Sequence, residues 1–241
     1  MRTTVTRISA TIAIIFAAFA SPTWCAPPLA TDDASTLTPG ACQLEIEQRR
    51  FRNRVERDIA SACNILFDAE IGIGHQRIAL DGVPRADSIA YQFKKVLVPA
   101  EENGWAVGIA VATVRTVNEK PGGHSGTRHN ILNAIASRQF GATALHVNVG
   151  TISDHQSAPG SRKNRLSWAI ATEHEASARW TVAGDVFGQR GVPATAQLGL
   201  RWWVLPKYMQ FTTSFGAQRG EGRDGRWVSL GVRFETGDSI N

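Results

Sequence analysis

The sequence predicts an all-β fold: a single antiparallel transmembrane β-barrel of about twelve strands, led by an export signal and a short arm. Three observations predict it. From about Gln43 to Glu235, runs of roughly ten residues alternate apolar with polar or tiny side chains, a period of two that belongs to a pleated strand. The polar face carries charge and glycine throughout, which suits a wet lumen better than a dry core. Longer loops follow every second run, as they do in a barrel with long external loops and short periplasmic turns. Alternation alone leaves a soluble sandwich open; the signal, the near-neutral charge and the 22 glycines favour the barrel.

Residues 1–20 read as a secretory signal for the Sec pathway. Arg2 and Arg7 form the positive region, Ile8 to Ala20 is apolar, and Ala18-Phe19-Ala20 fits the small-x-small cleavage rule. The apolar stretch is shorter than the ~20 residues of a spanning helix. Pro22-Thr23-Trp24 ahead of Cys25 makes a poor lipobox. An exported chain with no later membrane helix can enter the outer membrane as a closed barrel. Residues 21–41, with Pro22, Pro27, Pro28 and Pro39, read as an irregular periplasmic arm. Residues 42–236 form the barrel, and residues 237–241 a C-terminal tail.

Each strand supplies a lipid-facing set. Leu44 and Ile46 belong to the first strand, and Phe67, Ala69, Ile71 and Ile73 to the third. Ile89, Tyr91, Phe93 and Leu97 follow, then Trp105, Val107, Ile109 and Val111. After a less clear sixth strand near residues 130–138 come Leu145, Val147 and Val149, then Leu166, Trp168 and Ile170. Trp180, Val182 and Val186 precede Leu198, Leu200 and Trp202. Met209, Phe211 and Phe215 precede the last set, Val228, Leu230, Val232 and Phe234.

The opposite faces carry the chemistry. Glu45, Glu47, Arg49, Asp68, Glu70, Lys94, His146, Arg165, Glu173, Arg179, Asp185, Arg201 and Arg233 are expected to line the lumen, where rings of charge set selectivity. The long connectors read as residues 77–87, 116–127, 153–164 and 218–225. The short ones include Gln139-Phe140-Gly141, His174-Glu175 and Leu205-Pro206. Trp105, Trp180 and Trp202 would then stand near the periplasmic rim as an aromatic girdle.

If the first two strands form a tight hairpin turning at Arg52-Asn53, Leu44 faces Ser61, Ile46 faces Ile59 and Cys42 faces Cys63. Directly opposed residues lie near disulfide reach, so a Cys42–Cys63 bridge is expected in an oxidising periplasm.

Other chemistry is missing. Gly123-His124-Ser125-Gly126 lacks the G-x-S-x-G spacing and reads as a flexible loop. His174 between Glu173 and Glu175 has no second His or Cys at ligand spacing. No P-loop or dinucleotide fingerprint occurs, and no cofactor or metal is expected. Without the signal arginines, 24 Lys+Arg stand against 21 Asp+Glu, and no basic run suggests nucleic acid.

Several short pieces carry a family resemblance: Thr31-Asp32-Asp33-Ala34, Pro39-Gly40, Cys42-Gln43-Leu44-Glu45, Ala62-Cys63-Asn64, Asn103-Gly104-Trp105, Leu200-Arg201-Trp202-Trp203 and Trp227-Val228-Ser229-Leu230-Gly231. Together they resemble outer-membrane transporters of the "MetA-pathway of phenol degradation" family. The resemblance implies a barrel of about twelve strands and passage of small apolar compounds. The tail departs from the usual ending, since seven residues follow Phe234; recognition by the barrel-assembly machinery leans on that end.

The expected function is therefore an outer-membrane channel for small molecules, not an enzyme. Two alternatives stay open: a closed structural or surface-binding barrel, and an outer-membrane lipid hydrolase. The expected partners are outer-membrane lipid, lipopolysaccharide, the assembly machinery and a small-molecule substrate.

Overall fold

The computed structural model describes residues 29–66, 68–82, 85–102, 104–120, 123–155 and 164–236. The signal of residues 1–20, the first part of the arm, Phe67, most of the 153–164 loop and the 237–241 tail lie outside them. The described chain is all β. Twelve strands run in order: β1 (Cys42–Phe51), β2 (Arg54–Leu66), β3 (Ala69–Leu80), β4 (Ala86–Val98), β5 (Trp105–Lys120), β6 (Gly123–Phe140), β7 (Thr143–Asp154), β8 (Asn164–Ser177), β9 (Trp180–Gln189), β10 (Thr195–Leu205), β11 (Met209–Gln218) and β12 (Arg226–Glu235). Each pairs antiparallel with its sequence neighbour, and β1 pairs with β12, so the barrel closes without an edge. Closure matters because an unpaired backbone group in hydrocarbon costs several kcal/mol.

Side-chain parity holds around the ring. Leu44, Ile46, Ile59, Ile73, Ile89, Val111, Leu132, Val149, Ile170, Val182, Leu198, Phe211 and Leu230 all point out and stay exposed. A band of this kind is what a barrel standing in a bilayer presents to lipid. Trp180 stacks on Trp202 at 5.5 Å, and Trp202 on Phe211 at 6.3 Å. With Trp105 they stand at the barrel end that carries the short turns and the start of β1.

The first hairpin has the expected register. Leu44 faces Ser61, Ile46 faces Ile59, and Cys42 faces Cys63. The two cysteines are joined in a disulfide across a Cα–Cα distance of 4.0 Å.

Several connectors differ from expectation. Residues 116–127 are mostly strand, because β5 and β6 continue as a hairpin above the ring. Gly123 to Gly126 accordingly belong to β6 and not to a loop. His174-Glu175 lies within β8, and the turn falls at Ala178-Arg179. The β6–β7 turn needs Gly141, whose φ of 58° is open to glycine at little cost.

The bridge leads to a direct expectation. Thiol labelling of the unfolded, unreduced protein should leave Cys42 and Cys63 unmodified, and labelling after reduction should mark both. Two labelled thiols before reduction would remove the bridge.

Candidate functional site: an occupied lumen

Inward side chains meet in two contrasting walls. Strands β1 to β4, β8 to β10 and β12 contribute charge and β11 uncharged polar groups, while β5 to β7 contribute mostly small or apolar groups such as Ala106, Ala110, Val114, Ile135 and Ile152. On the charged wall, Arg49 faces three carboxylates: Glu47 at 3.2 Å, Glu56 at 3.7 Å and Asp58 at 3.4 Å. Arg54 holds Glu56 at 2.6 Å. Arg233 bridges Glu45 at 2.8 Å and Glu235 at 3.3 Å and donates to Gln43 at 2.7 Å. Arg201 holds Glu173 at 2.6 Å.

Glu45, Glu47, Arg49, Glu70, Lys94, His146, Arg165, Glu173, Asp185, Arg201 and Arg233 share the inward parity of their strands. Asp68 and Arg179, expected on that wall, stand exposed in turns: Asp68 takes a φ of 57° between β2 and β3, and Arg179 lies between β8 and β9. The strand bounds explain both shifts, since β2 bulges near its end and β8 runs on to Ser177, past the turn expected at His174-Glu175. Sequence reasoning missed Arg54, Glu56 and Asp58, although the hairpin register already faced Glu47 with Asp58 and Arg49 with Glu56.

The lumen also holds a segment of the chain itself. Residues 29–38, expected in the periplasm, run inside the barrel and bond to six of its strands. The Asp185 carboxylate of β9 accepts the N–H groups of Ala30 (2.7 Å) and Thr31 (3.1 Å) and the Thr31 hydroxyl (3.1 Å). Lys94 of β4 donates to Asp32 at 2.8 Å and Asp33 at 3.0 Å. With its amide turned so that the nitrogen faces the Asp32 carbonyl, Asn148 of β7 donates to that carbonyl at 2.8 Å and accepts the Asp32 N–H at 2.9 Å. Ala34 donates its N–H to Ser137 of β6 at 2.8 Å, and Ser137 lies 2.8 Å from His146 Nδ1. Leu37 donates to Glu70 of β3, and Asn64 of β2 donates back to the Leu37 carbonyl.

Apolar contacts complete the seat. Ala34 packs with Ala106, Ala110 and Ile135, and Leu29 with Ala171 and Ala183. The segment has no periodicity and few large side chains, so no hydrophobic pattern marked it as a buried element. The one available signal was Asp32-Asp33, two adjacent carboxylates beside a lumen expected to hold cations.

Lys94 serves two carboxylates in different surroundings. Burial pushes the Asp32 carboxyl up from its ordinary value, against the pull of the ammonium. Burial would raise Asp33 as well, but the Lys94 charge and the hydrogen bonds from Lys94 and Ser35 outweigh it and hold that group below the ordinary range. Ionised Asp33 therefore stabilises the docked segment above its unfolded value of 3.8, and that contribution drains away as pH falls below it.

Space remains on either side of the segment. A cavity of about 310 Å³ lies between it and the β1–β4 and β12 wall, lined by Glu45, Glu70, Gln92, Lys94, Arg233 and Glu235 among others. A second, of about 220 Å³, includes Ala106, Ser137, His146, Glu173 and Glu175.

Three variants separate these anchors. Lys94→Met strands two carboxylates and should weaken docking of the segment by about 3–5 kcal/mol, the scale for breaking a buried pair. Asp33→Asn should weaken it more than Asp32→Asn. All three are checked by hydrogen exchange at residues 29–38, and equal protection in the wild type and in Lys94→Met would remove the latch.

No curated protein matches the chain. Among solved structures, the KdgM porin is similar at 5% identity with a TM-score of 0.62, over 80% of this chain and 98% of that one. A KdgM porin in complex with disordered oligogalacturonate is similar at 6% and 0.60 over the same shares, and the NanC porin at 10% and 0.60, again over 80% and 98%. Outer membrane phospholipase A from Escherichia coli, as an active-site mutant, is similar at 11% and 0.50, over 83% and 91%. At such identities the likeness shows the shared barrel fold. Residues 14–235 match the model of the family described as "Uncharacterised conserved protein UCP029691", and the chain belongs to that family.

Proposed function

We propose that this protein is an outer-membrane channel for small hydrophilic solutes, narrowed by its own N-terminal segment. The outward apolar band supports the membrane setting. The occupied lumen carries the rest of the reading: residues 29–38 cross the bore, yet cavities of about 310 and 220 Å³ flank them. A twelve-stranded barrel lies between the width that side chains fill and the width that leaves an open pore. A short internal segment takes up the difference here.

The charge of the path favours a class of solute. The larger cavity is lined by Asp32, Asp33, Glu45, Glu70 and Glu235 against Lys94 and Arg233. An acid-rich constriction repels polyanions and admits cations or neutral solutes. That differs from an acidic oligosaccharide such as the oligogalacturonate bound to the KdgM porin. It also departs from the small apolar compounds that the sequence resemblance implies.

A closed barrel is the second reading, and the arm's many anchors favour it. Planar-bilayer recording separates the two. Wild-type protein should give small, cation-selective steps, with reversal potentials displaced toward the cation side in a salt gradient. Asp185→Asn combined with Lys94→Gln should raise the single-channel conductance several-fold. Silence from both proteins, each folded as judged by a boiling-sensitive gel band, would support the closed barrel instead.

A further inference from the structure

Just above the apolar band, toward the end with the long loops, the outer surface of β1 to β6 changes character. Arg50, Arg57, Arg77, Arg115 and Arg128 have the same parity on their strands as Ile46, Ile59, Ile73, Val111 and Leu132, so they point away from the lumen, and all five are exposed. The registers place them side by side. Arg57 lies directly opposite Arg77, and Arg115 directly opposite Arg128. Arg50, which faces Val55, is diagonal to Arg57. Arg77 faces Asp87 of β4, whose neighbour Ile89 faces Arg115. The row is thus continuous over six strands, or about 24 Å at the ~4.8 Å spacing of paired strands.

This arrangement runs against ordinary strand pairing. Like charges directly opposite each other destabilise a sheet, yet the row contains two such pairs. Asp87 is the row's one carboxylate among the described residues, and it is already shared by Arg77 at 2.8 Å and His75 at 3.0 Å. Arg57 turns to a neutral partner, Gln48, at 3.0 Å, and Arg128 to Thr113 at 3.4 Å. Guanidinium forks at this spacing match the oxygens of phosphate groups, which they bind in paired fashion.

We infer that this arginine row binds the phosphate groups of lipopolysaccharide in the outer leaflet. The inference rests on the membrane reading above, because the row stands where headgroups begin only if the apolar band lies in a bilayer. Charge complementarity selects the occupant: five cations on the lipid-facing surface at the height of a phosphorylated headgroup.

Detergent-refolded wild type and the variant Arg57→Gln/Arg77→Gln/Arg115→Gln/Arg128→Gln would be titrated with rough lipopolysaccharide, with its dephosphorylated form and with phosphatidylglycerol, and bound lipid read by native mass spectrometry. The variant should hold lipopolysaccharide at least about tenfold more weakly, a loss on the scale of a single charge-assisted hydrogen bond or more. Removing the phosphates should cost the wild type a similar factor. If the fourfold variant does not fold, Arg57→Gln/Arg77→Gln and Arg115→Gln/Arg128→Gln taken separately should each show part of the loss. Equal binding by wild type and folded variant overturns the site. Phosphatidylglycerol held as tightly as lipopolysaccharide overturns the choice of lipid. A wild type found soluble in periplasmic extract, with no boiling-sensitive band, overturns the membrane reading and this inference together; a folded, membrane-bound wild type indifferent to lipopolysaccharide overturns this inference alone.

Discussion

A closed hydrogen-bonded ring with a side-chain period of two is the constraint on which the rest of this structure depends. Once β1 pairs with β12, every strand has one face in and one face out, and a slip of one residue anywhere would exchange them. The Cys42–Cys63 bridge fixes the register of the first hairpin. That register puts Glu47, Asp58, Arg49 and Glu56 on the same side, so the Arg49 network follows from it. Trp227 shows how tightly the inner face is then filled. It lies inward beside Phe51 at 5.3 Å, above Gly216, where a Cβ would come within 2.0 Å of the indole.

The fold was legible because parity is written in pairs of adjacent letters. Val228-Ser229-Leu230-Gly231 states its two faces without reference to any other strand. The lumen list was legible for the same reason, and it erred where parity ends. Asp68 and Arg179 sit one or two residues beyond the regular ladder, where a turn sets direction and alternation carries no information. The arginine row was hidden by the same habit of reading. Arg57 and Arg77 interrupt the apolar alternation, so they look like strand ends, although β2 and β3 continue past them and keep them on the outer face. The arm was the hardest to see. Its residues make few periodic contacts, and its place is set by side chains on β2, β3, β4, β6, β7 and β9, which no local pattern brings together.

The arm and the wall answer each other chemically. Backbone ordering costs about 1–2 kcal/mol per residue, so a segment without regular structure stays docked only if nearly every residue finds a partner. From Ala30 to Ala34 each residue does so through an N–H, a carbonyl or a carboxylate. The partners on the wall are mostly ionised or amide side chains, which offer several bonds from one position. Asp185 takes three donors from two residues, and Lys94 holds two carboxylates.

This division of labour bears on release. The apolar part of the seat is small: Leu29, and Ala34 against alanines and Ile135. Burying one leucine is worth about 1.5–3 kcal/mol, and an alanine much less. Most of the holding is therefore polar and buried, through Asp32, Lys94 and Asp185; a hydrogen bond to a charged group is worth about 1.5–3 kcal/mol net, and more is lost when a buried charge is left without its partner. A segment held in this way resists casual displacement but has no deep dry core to tear open. The holding is concentrated in Lys94 and Asp185, which grip the segment, whereas the pairs around Arg49 and Arg233 join the wall to itself.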